Sequence, residues 1–156
     1  MRNPKSAVLS DIEKEIIAEI RNLRATLADP RRTDLLEHPE RLLYHFIQAS
    51  HGNVKLRIKA LAPALGSEIR TLQRAFTDEY HENFTACQAR VRLQFSCWSL
   101  SISPSSSKIS AIASVLGYAR VQDFNRFFKK YMKQSPAEWG RKERERLERE
   151  KNPPSQ

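Results

Sequence analysis

The chain has 156 residues and a formal net charge of +9 at pH 7, from 27 Lys and Arg against 18 Asp and Glu. That length allows one compact domain with a little more, and that charge points to a polyanionic partner, either a nucleic acid or a membrane surface. No apolar run is long enough to span a membrane, no signal peptide opens the chain, and its 4 His and 2 Cys fall at no metal-ligand or nucleophile–base spacing, so it reads as a soluble cytoplasmic protein, not an enzyme, with no cofactor and no metal.

The charge is uneven. Residues 1–39 carry seven basic and seven acidic side chains, residues 40–140 fourteen against seven, and residues 141–156 six against four. The basic excess therefore lies in the middle of the chain.

The first predicted helix covers residues 10–28. Ser10 and Glu13 form a candidate capping box at its start. Leu9, Ile12, Ile16, Ile20, Leu23 and Leu27 form an apolar stripe at helical spacing. Such a stripe must bury against the chain's own core, a second copy or a sensor partner, and a homodimer through this helix stays open beside own-core packing. Asp29 to Pro39 is a break with two prolines and mixed charges, which sets residues 1–39 apart as a helical extension and linker.

From Glu40 a short amphipathic helix carries Leu42, Leu43, Phe46 and Ile47 and ends at His51-Gly52-Asn53. A helix-turn-helix pattern follows. Leu56, Leu61 and Leu65 mark its first helix, Gly66 its turn, and Ile69, Leu72 and Phe76 the inner face of its second helix. Pro63 should kink or shorten the first of these helices. Thr85 to Leu100 is apolar enough for a buried helix, with Ala86, Ala89, Leu93 and Cys97 on one face and Val91, Phe95 and Trp98 widening it. Cys87 and Cys97, on this helix, read as buried structural thiols. Ser101 to Ser107 is a Ser/Pro loop.

Residues 108–139 then repeat the pattern more clearly. Ile109, Ile112, Ala113 and Leu116 lie on one helical face, Gly117 makes the turn, and Phe124, Phe127, Phe128 and Tyr131 line the next helix. Leu72, Arg74 and Phe76 recur as Phe124, Arg126 and Phe128, 52 residues on, with Gly66 and Gly117 one residue out of step. Off the aromatic face stand Gln122, Asn125, Arg126, Lys129 and Lys130, whose amide, guanidinium and ammonium groups suit base edges and phosphates. Ser135-Pro136-Ala137-Glu138 is a capping box for a last helix, whose charged end RKERERLEREK should fray, followed by a disordered tail.

The run I-x-x-I-A-x-x-x-G-Y from Ile109, then F-x-R-x-F-K-K-Y from Phe124 and S-P-x-E-W from Ser135, resembles the second helix-turn-helix of the AraC/XylS family of bacterial transcription regulators. Arg70-Thr71-Leu72-Gln73-Arg74-Ala75-Phe76 resembles the recognition helix of that family's first unit. The resemblance implies an all-α fold: two helix-turn-helix subdomains, about 40–84 and 107–148, joined by a linker helix at about 85–100, with an extra N-terminal helix and a tail at 149–156. It implies a sequence-specific regulator of transcription that binds double-stranded promoter DNA and contacts RNA polymerase, activation being the family's usual role. Two differing recognition helices about 34 Å apart on one duplex face would read an asymmetric site.

On that reading Arg70, Arg74 and Arg126 present paired donors to guanine, Gln73, Gln122 and Asn125 pair with adenine, and Val121 packs on a thymine methyl. Lys129 and Lys130 are the phosphate contacts, and one of Arg90 and Arg92 faces DNA while the other pairs with an acid. The chain departs from the family at Thr77-Asp78-Glu79, where basic residues are usual. It departs again at His81 and Lys133, which replace the glycine before each closing helix. Family members often carry a β-rich sensor domain. Here either a stand-alone member with an added helix or the DNA-binding end of a longer regulator is consistent with the sequence. The competing reading is an interaction protein that modulates another protein through its N-terminal helix, with weak or non-specific DNA binding.

Overall fold

The computed structural model describes residues 8–26, 37–102 and 107–153. Most of the predicted break, the middle of the Ser/Pro loop and the last three residues lie outside them. Among the described residues run the helices α1 (Asp11–Thr26), α2 (Pro39–Ala49), α3 (Ile58–Leu61), α4 (Ile69–Tyr80), α5 (Phe84–Ile102), α6 (Ser107–Val115), α7 (Val121–Met132) and α8 (Pro136–Lys151). The fold is all-α, with no strand among the described residues. Two compact units, residues 1–91 and 92–156, divide within α5.

The capping box at the start of α1 forms. The Glu13 backbone N–H donates to Ser10 Oγ (3.3 Å) and the Ser10 N–H donates back to Glu13 Oε1 (2.9 Å). Glu13 does more than cap. It is fully buried and also accepts from the Arg57 backbone N–H (3.1 Å), from Arg57 Nε (3.0 Å) and from Arg57 Nη2 (2.9 Å). One carboxylate thus satisfies backbone donors at the starts of both α1 and α3. Burial pushes its pKa up, but the hydrogen bonds from Arg57 and the two backbone groups outweigh burial and hold it below the usual carboxylate range.

The stripe of α1 from Leu9 to Leu23 is spent on the chain's own core, and Leu27 lies outside the described residues. Ile16, Ile17 and Ile20 are buried with Leu43, Phe46, Leu61 and Phe76, and Leu9, Ile12 and Leu23 pack partly buried against them. The helix therefore belongs to the same core as the first helix-turn-helix.

The two helix-turn-helix motifs share one turn. Leu65 N–H donates to Leu61 O (2.9 Å), Gly66 N–H to Pro63 O (3.1 Å) and Ser67 N–H to Ala62 O (3.0 Å). In the second motif Leu116 N–H donates to Ile112 O, Gly117 N–H to Ser114 O and Tyr118 N–H to Ala113 O, all at 3.0 Å. Each donor and acceptor is displaced by 51 residues. Gly66 (φ +68°) and Gly117 (φ +88°) both take the left-handed conformation such a helix end needs. The second helix of each motif then starts at Ile69 or Val121, 52 residues apart, so the second turn holds one residue more. Pro63 has the expected effect: α3 is a single four-residue turn, continued irregularly to Gly66, whereas its counterpart α6 runs for nine residues.

Helix α5 departs from its apolar pattern. Its buried residues include Phe84, Cys87, Val91 and Leu100, but also Gln88, Arg92, Ser96 and Ser99. Trp98, expected inside, is 60% exposed, and Ala86 is exposed as well. The polar residues go inward because they have partners there. Gln88 Nε2 donates to the carbonyls of Asn53 and Leu56 in the loop before α3, and Ser96 Oγ donates to Arg92 O (2.7 Å). Both cysteines are free thiols; burial pushes each to a pKa of about 11, so neither is a ready thiolate.

In the second unit Leu100, Ile112, Ala113, Leu116, Phe124 and Phe128 form the core. Tyr118 packs on Phe124 (ring centroids 5.7 Å) and Trp139 meets Phe128 edge-on (5.8 Å). Ser135 caps α8 by accepting from the Glu138 N–H (3.2 Å), one half of its predicted capping box, while the Glu138 carboxylate pairs with Lys142. Arg144 Nη1 donates to Leu100 O (2.8 Å) near the end of α5. The charged end of α8 stays helical to Lys151, laced by pairs such as Lys142–Glu138 (3.2 Å) and Arg146–Glu150 (2.5 Å). No described helix is long and apolar enough to cross a membrane.

Candidate nucleic-acid interface

The second helix of each motif, α4 or α7, is strongly two-faced. Leu72 and Phe76 anchor α4 and Phe124 and Phe128 anchor α7, every one fully buried. Three apolar residues expected on these inner faces are not wholly inside. Ile69, the first residue of α4, is 40% exposed and Tyr131 near the end of α7 is 47% exposed, while Phe127 is half-buried. Helix ends outrun the core that covers their middles, which is why the outermost positions of each apolar repeat emerge.

On the outer face of α4, Arg70, Gln73 and Arg74 are exposed. Arg70 and Gln73 line a groove with Pro63, Ser67 and Glu68. On α7, Gln122, Arg126, Lys129 and Lys130 are exposed, and Asn125 is half-buried. Val121 is half-buried and packs against the second core, leaving only part of its surface outward. Lys129 and Lys130 stand in the last turn of α7, where cations also favour the helix dipole. The Lys130 ammonium lies 5.5 Å from the Tyr131 ring centre.

Asp123 is a feature of this face that the sequence reading passed over. It lies between Arg120 (3.6 Å) and Arg126 (3.8 Å), holding two exposed guanidinium groups at the start of the helix. Surface pairs of this length contribute little stability, so they bias side-chain direction more than they bind it. Arg120 itself, 76% exposed, was also passed over, because its signal is a helix N-cap position rather than the outer face of the helix.

The two arginines of α5 separate differently from expectation. Arg90 does pair with an acid: its Nη2 and Nε donate to Glu82 Oε1 at 2.6 and 2.9 Å. Those bonds lower the Glu82 pKa against the opposing effect of burial. Arg92 turns inward. It is buried, donates from Nη1 to Tyr118 Oη (3.0 Å) and stacks its guanidinium 4.5 Å from the Phe127 ring centre. It serves the second unit's core, covering the half-buried Phe127. In the first unit the acidic stretch Asp78-Glu79 lies within the last turn of α4, not beyond it, and Glu79 pairs with Arg41 (3.5 Å). His81 (φ 58°) and Lys133 (φ 63°) both hold the left-handed position in place of glycine.

Comparison with known proteins agrees with this geometry. Residues 61–142 match the family model described as a helix-turn-helix domain. Among solved structures the chain is similar to the C-terminal domain of AraT, a response regulator from Geobacillus stearothermophilus, at 23% identity and a TM-score of 0.59, over 66% of this chain and 84% of that one. No curated protein matches the chain. The matched residues begin at the end of α3 and run through both recognition helices into α8. They cover more than half of the chain, and with the tandem turns they show that it belongs to the AraC-type helix-turn-helix family of DNA-binding transcription regulators.

Proposed function

We propose that the chain reads a specific double-stranded promoter sequence with both recognition helices, α4 through Arg70, Gln73 and Arg74, and α7 through Val121, Gln122, Asn125 and Arg126. Lys129 and Lys130 contact phosphates beside α7. The observation that carries this reading is the repeat itself: two motifs with the same hydrogen-bonded turn each present an exposed arginine and amide face on a helix anchored by two buried core residues. Such faces carry the bidentate donors and acceptors that distinguish guanine and adenine in the major groove. In this reading one cytoplasmic chain occupies one asymmetric site and acts as an activator in contact with RNA polymerase. A homodimer through α1 is not part of it, because the stripe that would pair two copies is buried in the chain's own core.

Selection of bound duplexes from a random pool tests the proposal. The expected result is one asymmetric element; an inverted repeat, or no enrichment, overturns it. Arg126→Ala should then relax preference at one base pair by about 1–3 kcal/mol. Lys129→Ala should weaken all sequences alike and flatten the salt dependence by about one unit. If the two variants act alike on every sequence, the division into reading and phosphate contacts is wrong.

A further inference from the structure

Helix α1 lies along α3 from start to turn. Glu13 ties the two starts together. At the other end Arg24 lies over the turn, where a Cβ on Gly66 would come within 2.8 Å of Arg24 Nη2. The charges of α1 are sorted. Lys14, Arg21 and Arg24 follow one margin of its buried stripe together with Ile17, while Glu15 and Glu19 lie away from that margin.

The basic margin borders α3 and its turn. Ile17, Arg21 and Arg24 line one side of a shallow groove whose other side is Ala60, Pro63 and Ala64. Pro63 is also a wall of the next groove, which holds Arg70 and Gln73 of the recognition helix. The two arginines of α1 and the reading face of α4 therefore border the same residue. Arg21 and Arg24 are exposed, and no ion pair among the described residues engages either. Two exposed guanidinium groups on a helix packed along the leading helix of the motif match backbone phosphates, which take charge without demanding sequence.

We infer that α1 is part of the DNA-binding surface, with Arg21 and Arg24 contacting phosphates that flank the segment read by α4. The contact supplies the first unit with basic groups that its own acidic stretch at Asp78 and Glu79 lacks. This inference rests on the DNA-binding reading above.

The test measures binding of the full chain to a duplex retained from the random pool, across a range of salt concentrations. The double variant R21Q/R24Q is expected to bind every sequence more weakly by the same factor, on the order of tenfold. Its salt dependence should be shallower by about two units, with base preference unchanged. R21K/R24K keeps the charge and is expected to restore the slope. Circular dichroism melts of both variants show whether α1 stays folded. An R21Q/R24Q chain that binds with the parent's affinity and slope overturns this inference alone, while Arg126→Ala still loses its base preference. A double-lysine variant as impaired as the double-glutamine one also overturns it, since packing and not charge would then be at work. If the parent chain retains no duplex, both this inference and the reading it rests on fall.

Discussion

The two helix-turn-helix units have the same turn and different supports. In the second, aromatic rings hold the recognition helix: Phe124 and Phe128 with Tyr118, Trp139 and the stacked Arg92. In the first, Phe76 and Tyr80 also pack on Tyr44 and Phe84, but Pro63 cuts the leading helix to one turn, and that helix takes its support from α1, through three isoleucines and the ion pair of Arg57 with the buried Glu13. A motif weakened locally can thus be restored by an added element, at the cost of burying a charge whose partners must all be in place.

The difference can be broken by substitution. Phe128→Ala removes a fully buried ring and should cost the second unit about 3–5 kcal/mol. Both tryptophans, Trp98 and Trp139, lie in that unit, so their fluorescence reports its unfolding, while circular dichroism reports the helices of both. The tryptophan transition should move while much of the helical signal persists; a single shared transition would show that the units are not separately supported.

Glu13→Gln should act in the opposite place. It leaves Arg57 without its charge partner, and because Arg57 is about one-third exposed the expected cost is near the low end for buried pairs, about 3 kcal/mol. Helix content should fall at lower denaturant with the tryptophan transition unmoved.

Acid sharpens the same contrast more gently. The folded chain holds Glu13 below its ordinary pKa of 4.5, so the unfolded state binds that proton more tightly. The contribution is complete above pH 4.5 and is lost as the pH falls through the lowered folded value. The slope of stability against pH in that range should shrink in Glu13→Gln; an unchanged slope would assign the acid sensitivity to other carboxylates.

The smallest effect tests what the units share. His81→Gly and Lys133→Gly each relieve a left-handed non-glycine residue and should stabilise their own unit by about 0.5–1 kcal/mol. Destabilisation by either would mean that the side chain makes contacts worth more than the strain.

Much of this was legible in the sequence. The turns at Gly66 and Gly117, the capping box at Ser10, the cap at Ser135, the shortening at Pro63 and the left-handed His81 and Lys133 depend on local backbone chemistry, which travels with the residue. The failures occur where a partner distant in sequence decides. Apolar spacing put Trp98 inside α5 and said nothing of Gln88 and Arg92, because their burial depends on carbonyls at Asn53 and Leu56 and rings at Tyr118 and Phe127. Glu13 reads as a cap; only the approach of Arg57 makes it the joint between two helices. For Arg21 and Arg24 the sequence is silent, since nothing local shows which element α1 lies beside.

The extra residue of the second turn bears on how the DNA site itself should look. The buried anchors of α4 and α7 keep the 52-residue offset, so the insertion is absorbed in the turn and the two outer faces stay in phase. Arg70, Gln73 and Arg74 then correspond to Gln122, Asn125 and Arg126. The last pair is identical, the middle pair differs by one methylene, and only the first exchanges a guanidinium for an amide. On the proposed reading the two halves of the operator are imperfect copies of one word, sharing the letter read by Arg74 and Arg126 and diverging at the letter read by Arg70 and Gln122.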